Sequence, residues 1–469
     1  MPTDHQPTGF VQPIQFELQV RSLTLLVAAL VLFASPVRAQ IALAAADAPE
    51  LAAPGSFAIG THIESINLGE RPYVTSTGPA VGARTVDVRL WYPAQGTRNT
   101  SQSIEYIYST TRPDVGDVTV TTPGIAEANA TALEGQFPLV VISHGYGNWA
   151  TGMAGLAENL ASKGYIVAAI EHVDHPEGKD NPALDFPNVV IRRADDQRRV
   201  IEGLLASHQT GGVAALTGLD PNAIGLIGFS MGGFGALATA GAHYDVEAPA
   251  LMSMSLSETA IEAMNASLPE ASQPDAVILM APWGAQAPIR AWSTSALGDI
   301  STPALIIGGD HDDVSNYTDG IRYVFDHMRA SDRYLLSYRL ARHNIAADPA
   351  FQYSEALQGA FPAVESSAEP VWRTERINAI NQHFITAFLD YRLKGKTERR
   401  RFLDVPFVES SESEWPLPFG QSVGGTFASD DQPDHWPGFQ RRWALGLALE
   451  HKIGATEAAP ADVNEASTR

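Results

Sequence analysis

The sequence predicts an α/β fold built on a doubly wound, mostly parallel sheet, and three observations carry that expectation. The first is a series of short apolar runs: "FPLVVISHG" from Phe137, "YIVAAI" from Tyr165, "AIGLIG" from Ala223, "AVILMA" from Ala276 and "ALIIGG" from Ala304. Continuous apolar runs of this length mark strands buried on both faces. The second is the helical pattern between such runs, as in "MAGLAENLASKG", where Leu156 and Leu160 share one face and Gly164 closes the C-terminal end. The third is an abrupt change within "AIGLIGFSMGGFGALATAGA", residues 223–242, from an apolar strand to a run of small residues suited to a helix.

Upstream of the first buried strand, "RTVDVRLWYPA" from Arg84 alternates Val86, Val88, Leu90 and Tyr92 with polar positions, the period of a half-buried strand. Three regions break the strand and helix rhythm. Residues 243–274 read as a mostly helical insertion with a capping box at Ser255 and Glu258. Residues 404–455 read as a C-terminal extension, a long loop or arm whose Trp415 and Trp436 dock it on the body, and 456–469 as a polar tail. The core domain is expected over 56–403.

At the N-terminus, Arg21 precedes the apolar "LTLLVAALVLFA" and then Val37-Arg38-Ala39, the layout of a secretory signal peptide cleaved before Gln40. An apolar core of about 12 residues is too short to span a bilayer, which takes roughly 20. Residues 1–39 are therefore expected to be removed, leaving a secreted or periplasmic protein with no stable membrane insertion. A formal charge of −22 argues against nucleic acid as a partner, because counterion release needs clustered Lys and Arg. The absence of cysteine excludes disulfides, thiolate catalysis and Cys-ligated zinc. The remaining expectation is a monomer with a small-molecule or polymeric substrate.

The chemistry concentrates at Gly228-Phe229-Ser230-Met231-Gly232. A serine between two glycines at a strand-to-helix switch is the nucleophile elbow, a turn too sharp for flanking side chains. Such a serine takes a carboxylate and then a histidine from later in the chain. "ALIIGG" runs into Asp310, Asp312 and Asp313, and "YLLSYRLARHN" ends near His343. His144, His172 and His175 precede the serine and fall outside that order; His144 reads as a structural residue beside the oxyanion loop. The three aspartates read as solvated carboxylates rather than a metal site.

These motifs together resemble known families. "DVRLWYPA", "FPLVVISHGYG" and "LASKGYIVAAIEH" are similar to bacterial dienelactone-hydrolase-like proteins akin to platelet-activating-factor acetylhydrolase. "LMAPWG", "TPALIIGGDHDDV", "LARHN" and "INQHFITAFLDYRLKG" resemble the cutinase-like polyester hydrolases. The resemblance implies an α/β-hydrolase fold and an ester hydrolase needing no cofactor and no metal. It also implies Ser230 as nucleophile, His343 as base and Asp312 as acid. The N–H groups of Tyr146 and Met231 would form the oxyanion hole, and Trp283, with Tyr146, would wall the substrate groove. The bland alternative for Trp283 is packing beneath the 243–274 insertion. The acetylhydrolases carry their acid after the preceding strand, where this chain has only "LMAPWG", and true dienelactone hydrolases use a cysteine. Two other readings stand beside the esterase: an amidase or peptidase of the same fold, and a non-catalytic binding protein on a hydrolase scaffold.

Overall fold

The computed structural model describes residues 45–455 except 76, 102, 113–115, 175–181, 249–250, 252–255, 257, 267–272, 347, 349–351, 366, 414–433 and 441. The expected signal segment, the capping Ser255, Trp415 and the polar tail all lie outside the described residues.

A long hairpin opens the structure, β1 (Ala58–Thr75) against β2 (Gly78–Ala94), antiparallel and with one register shift between Asn67 and Gly69. The strand read from Arg84 thus starts at Gly78; its first residues alternate between half-buried and exposed, a pattern without the apolar signal that marks the later part. A second hairpin, β3 (Ile104–Arg112) and β4 (Gly116–Gly124), forms a separate small sheet, and β5 is the short Glu127–Ala128. The apolar runs follow as β6 (Phe137–Ser143), β7 (Ile166–Glu171), β8 (Leu219–Phe229), β9 (Ala276–Met280), β10 (Ala304–Gly309) and β11 (Arg333–Tyr338). Strands β6 to β11 pair in parallel, and every residue of β9, β10 and β11 is buried. Burial on both faces is why these segments show no alternation in sequence.

Gln352–Tyr353, β12, joins the small sheet, and β13 (Leu447–Lys452) pairs antiparallel with β11 at the edge of the main one. The main sheet has ten strands in the order β13-β11-β10-β9-β8-β6-β7-β2-β1-β5. The C-terminal extension is therefore more than a loop. Its last part completes the sheet, and Trp436 is wholly buried with its indole N–H donating to the Phe407 carbonyl at 3.0 Å.

The main helices flank the sheet in two groups. Helix α2 (Pro182–Thr210) packs on α3 (Met231–Thr239), whereas α1 (Ala154–Ser162) packs on α5 (Thr374–Lys394). Leu156 and Leu160 are buried as their spacing requires, and Gly164 adopts φ +86° just beyond α1. The described part of the 243–274 insertion carries one helix, α4 (Glu258–Ala266), which buries Ile261 and Met264. No helix among the described residues is long and apolar enough to cross a membrane.

One buried carboxyl ties together segments almost two hundred residues apart. Asp348 accepts from the Gly155 N–H in the first turn of α1 at 2.8 Å, and burial pushes its carboxyl up to about 7. The folded chain thus keeps a proton that the unfolded chain releases near its ordinary 3.8, so this group's contribution to stability falls as pH rises toward about 7. An Asp348→Asn variant retains an acceptor for Gly155 without the charge. Urea unfolding at pH 5 and pH 7 should show the variant gaining stability relative to the native chain as pH rises, and equal differences at the two pH values would contradict the buried carboxyl's role.

Candidate active site

Residue Ser230 stands at the carboxyl end of β8 with φ +51° and ψ −111°, a conformation that costs an ordinary residue roughly 1–3 kcal/mol. The two glycines make it attainable. A Cβ on Gly228 would lie 2.4 Å from the Gly232 carbonyl oxygen, and one on Gly232 would lie 1.9 Å from the Ser143 carbonyl oxygen. The turn is locked by the Ser230 N–H to Met280 at 2.9 Å, and by the Trp283 N–H to the Ser230 carbonyl at 3.1 Å. Ser230 is thereby pinned through its N–H to the end of β9 and through its carbonyl to the segment that follows it.

The structure brings Ser230, His343 and Asp312 into one hydrogen-bonded chain. His343 Nε2 lies 2.9 Å from Ser230 Oγ, and its Nδ1 lies 2.8 Å from Asp312 Oδ2. The Asp312 side chain is completely buried, and its Oδ1 accepts from the N–H groups of Val314 at 2.9 Å and Ser315 at 2.7 Å. Asp312 Oδ2 can only accept, so Nδ1 carries the imidazole proton and Nε2 faces the serine hydroxyl as an acceptor.

The competing aspartates are committed elsewhere. Asp310 accepts from the Leu340 N–H at 2.7 Å and lies beside His311 and Arg339, while Asp313 pairs with Arg342 at the surface. Three neighbouring carboxylates therefore point at three different partners, and among the described residues no group of His, Asp and Glu converges as metal ligands would. The loop carrying His343 has its own fastener. Glu369 accepts from the N–H of Arg342 at 2.6 Å and of Asn344 at 2.7 Å, on either side of the histidine. Nothing in the sequence around Glu369 marked it.

Tyr146 and Met231 frame the serine. Met231 opens α3, so its N–H is one of the first-turn donors without an intrahelical acceptor. The turn bearing Tyr146 passes close by, since a Cβ on Gly145 would lie 3.3 Å from that of Ser230. Trp283, half-buried, meets Phe234 at a centroid distance of 5.8 Å, and Phe234 packs on Trp292 at 4.9 Å and on Tyr244 at 5.3 Å. Tyr244 belongs to the 243–274 segment, so Trp283 reaches, through Phe234, the packing beneath that insertion. Phe186, on α2, sits edge-to-face on Tyr146 at 5.2 Å and on Trp283 at 5.3 Å. Sequence reading missed Phe186, because only the fold brings the first turns of α2 over the sheet edge.

A model of the family described as platelet-activating factor acetylhydrolase, isoform II, matches residues 55–178. The bis(hydroxyethyl) terephthalate hydrolase of Streptomyces coelicolor is 25% identical over 273 residues, which is 57% of this chain and 70% of that protein. The solved ferulic acid esterase of Streptomyces cinnamoneus is 20% identical, with a TM-score of 0.49 over 86% of this chain and 99% of that one. The ten-stranded, mostly parallel sheet flanked by helices has the architecture of the α/β-hydrolase fold. The family model stops before the elbow, so β8, the acid turn and the histidine loop rest on their own geometry.

That geometry makes two expectations concrete. Asp312→Asn should lose on the order of a thousandfold in turnover or more, through the wrong imidazole tautomer. Asp310→Asn and Asp313→Asn should stay within about tenfold of the native rate, because neither carboxylate reaches His343. Steady-state kinetics of the three variants on one ester checks this, and a crippled Asp310 variant beside an active Asp312 variant would reassign the acid.

Proposed function

We propose that this chain hydrolyses carboxylic esters through an acyl-serine intermediate on Ser230. The observation that carries the reading is the Ser230, His343, Asp312 chain at 2.9 and 2.8 Å on a strained elbow. His343 Nε2 takes the hydroxyl proton as Oγ attacks the ester carbonyl, and the buried Asp312 stabilises the imidazolium that results. The Met231 and Tyr146 N–H groups receive the developing oxyanion, each such donor being worth about 3 kcal/mol in comparable sites. His343 then protonates the departing alkoxide, and water, activated by the same base, releases the acid. No step calls for a cofactor or metal.

The substrate reading rests on the aromatic arc of Tyr146, Phe186 and Trp283 beside the serine. Rings set edge-to-face present flat apolar surface to an acyl or aryl group, which favours small to medium and aryl esters over long-chain triglycerides. The likeness to a terephthalate-ester hydrolase and to the acetylhydrolase family supports aryl diesters, polyester fragments and acetyl-phospholipid-like esters as classes to test first. The signal-like N-terminus supports action outside the cytoplasm, on a substrate met in the periplasm or the medium.

Ser230→Ala and His343→Ala should each remove most turnover while leaving the unfolding midpoint in place, and the double variant should add little, because such residues act as a unit. An ester panel on the mature protein measures this; near-native hydrolysis by either single variant would refute the reading. Trp283→Ala should raise KM for aryl esters by about tenfold, the equivalent of one lost ring contact, and leave ethyl acetate nearly unaffected. Equal losses on both substrates, or a lowered melting temperature alone, would assign Trp283 to packing.

A further inference from the structure

Beneath the oxyanion turn lies a second Ser-His-Asp chain that solvent cannot reach. Ser143 Oγ is 2.8 Å from His172 Nε2, and His172 Nδ1 is 2.9 Å from Asp196 Oδ2. Ser143 and Asp196 are fully buried and His172 nearly so, which rules the serine out as a nucleophile for any external substrate. Arg84 caps the chain. Its guanidinium donates to both Asp196 oxygens at 2.7 and 2.6 Å and to the His172 carbonyl at 2.8 Å.

The protonation states follow from the partners. Burial tends to raise the Asp196 carboxyl, but the hydrogen bonds and charge of Arg84 outweigh it and hold the group well below the carboxylate range. Burial, with Arg193 nearby, pushes the His172 imidazole down to about 3, so the ring is neutral at physiological pH. Nδ1–H therefore donates to Asp196, and the Ser143 hydroxyl donates to the bare Nε2. Neither proton is available to move. The chain is a fixed strut.

Its upper end meets the turn that carries Tyr146. The His172 backbone N–H points at His144 Nε2 at 3.3 Å, and the two rings stand edge-to-face at 5.0 Å. An N–H there requires Nε2 to be bare, which places the proton on His144 Nδ1, and Nδ1 lies 2.7 Å from the Gly145 carbonyl oxygen. That carbonyl shares one rigid peptide plane with the Tyr146 N–H. Fixing the oxygen on one side fixes the direction of the N–H on the other, and a hydrogen bond to the carbonyl also polarises the amide as a donor.

A second tether acts one residue further on. The Gly147 N–H donates to Asp174 at 2.9 Å, and Asp174 is itself gripped by Arg193 at 2.7 and 2.8 Å. We infer that the Arg84, Asp196, His172 strut acts through His144 as a positioning device for the oxyanion donor of Tyr146. None of these side chains touches substrate. This inference rests on the esterase reading above and says which buried residues set its catalytic power.

The test pairs substitutions that differ only in hydrogen bonding. His144→Asn places an amide N–H near the former Nδ1 and should keep turnover within about threefold of native, whereas His144→Phe fills the space without a donor. His144→Phe should lower kcat by ten- to a hundredfold with KM within about twofold, the pattern of a contact made only in the transition state. Affinity for a phenylboronic acid, which forms a tetrahedral adduct on the nucleophile, should fall by the same factor. Asp196→Asn probes the remote end; because it strands Arg84, an Arg84→Met/Asp196→Leu double variant serves as a folded alternative. Both should reproduce the kcat and boronate losses at an unfolding midpoint that circular dichroism shows to be cooperative. Native kcat and boronate affinity in His144→Phe and in the double variant, with Ser230→Ala inactive, would overturn the strut and leave the esterase intact. Activity in Ser230→Ala would instead overturn the reading on which the strut rests.

Discussion

The site depends on one backbone constraint, the left-handed conformation forced on Ser230 where β8 gives way to α3. A residue with a Cβ holds φ +51° only if its neighbours leave room, and here they do so by having no side chains: Gly228 faces the Gly232 carbonyl and Gly232 faces Ser143. The packing that makes the turn also draws the oxyanion strand against it, because Gly232 can approach the Ser143 carbonyl only as glycine. Ser230 and the turn that carries Tyr146 are therefore placed by the same contact. The strain is held by the parallel sheet, whose β6, β8 and β9 ladders bond on either side of the turn.

Around that fixed point the sheet delivers each further group at its carboxyl edge. Strand β10 ends in the acid turn, β11 leads to the histidine loop and β9 leads to Trp283. Backbone hydrogen bonds to buried carboxylates then hold the loops. Asp312 accepts two N–H groups within its own turn, Glu369 brackets His343, and Asp174 takes Gly147. Burying a carboxylate is costly unless its oxygens are satisfied, so each of these acids trades desolvation for a rigid geometry that catalysis needs.

Much of this was legible in the sequence because its signals are local. The elbow announces itself in five residues, the buried strands in apolar runs, and the order serine, acid, base follows from the chain. The choice of Asp312 among three near-adjacent aspartates rests on a family register; in the structure Asp312 is the one that reaches His343, while Asp310 and Asp313 are engaged by Leu340 and Arg342. What stayed hidden depends on distant pairing. Phe186 is an ordinary helical phenylalanine until the fold sets it between Tyr146 and Trp283. The partnership of Ser143, His172, Asp196 and Arg84 spans more than a hundred residues and has no motif. His144 reads as merely structural for the same reason. The edge strand at Leu447–Lys452 was lost because "LALEHK" is too short and polar at its end to distinguish from the loop before it.

The central claim is that Ser230, and not its buried counterpart Ser143, is the activated hydroxyl. Treating the purified protein with a fluorophosphonate and locating the adduct by peptide mapping measures this directly, since only a serine with an adjacent base and open access reacts quickly. The geometry predicts stoichiometric modification at Ser230 with loss of all esterase activity. An unmodified Ser230 in a protein that still hydrolyses esters, or an adduct at Ser143, would contradict it.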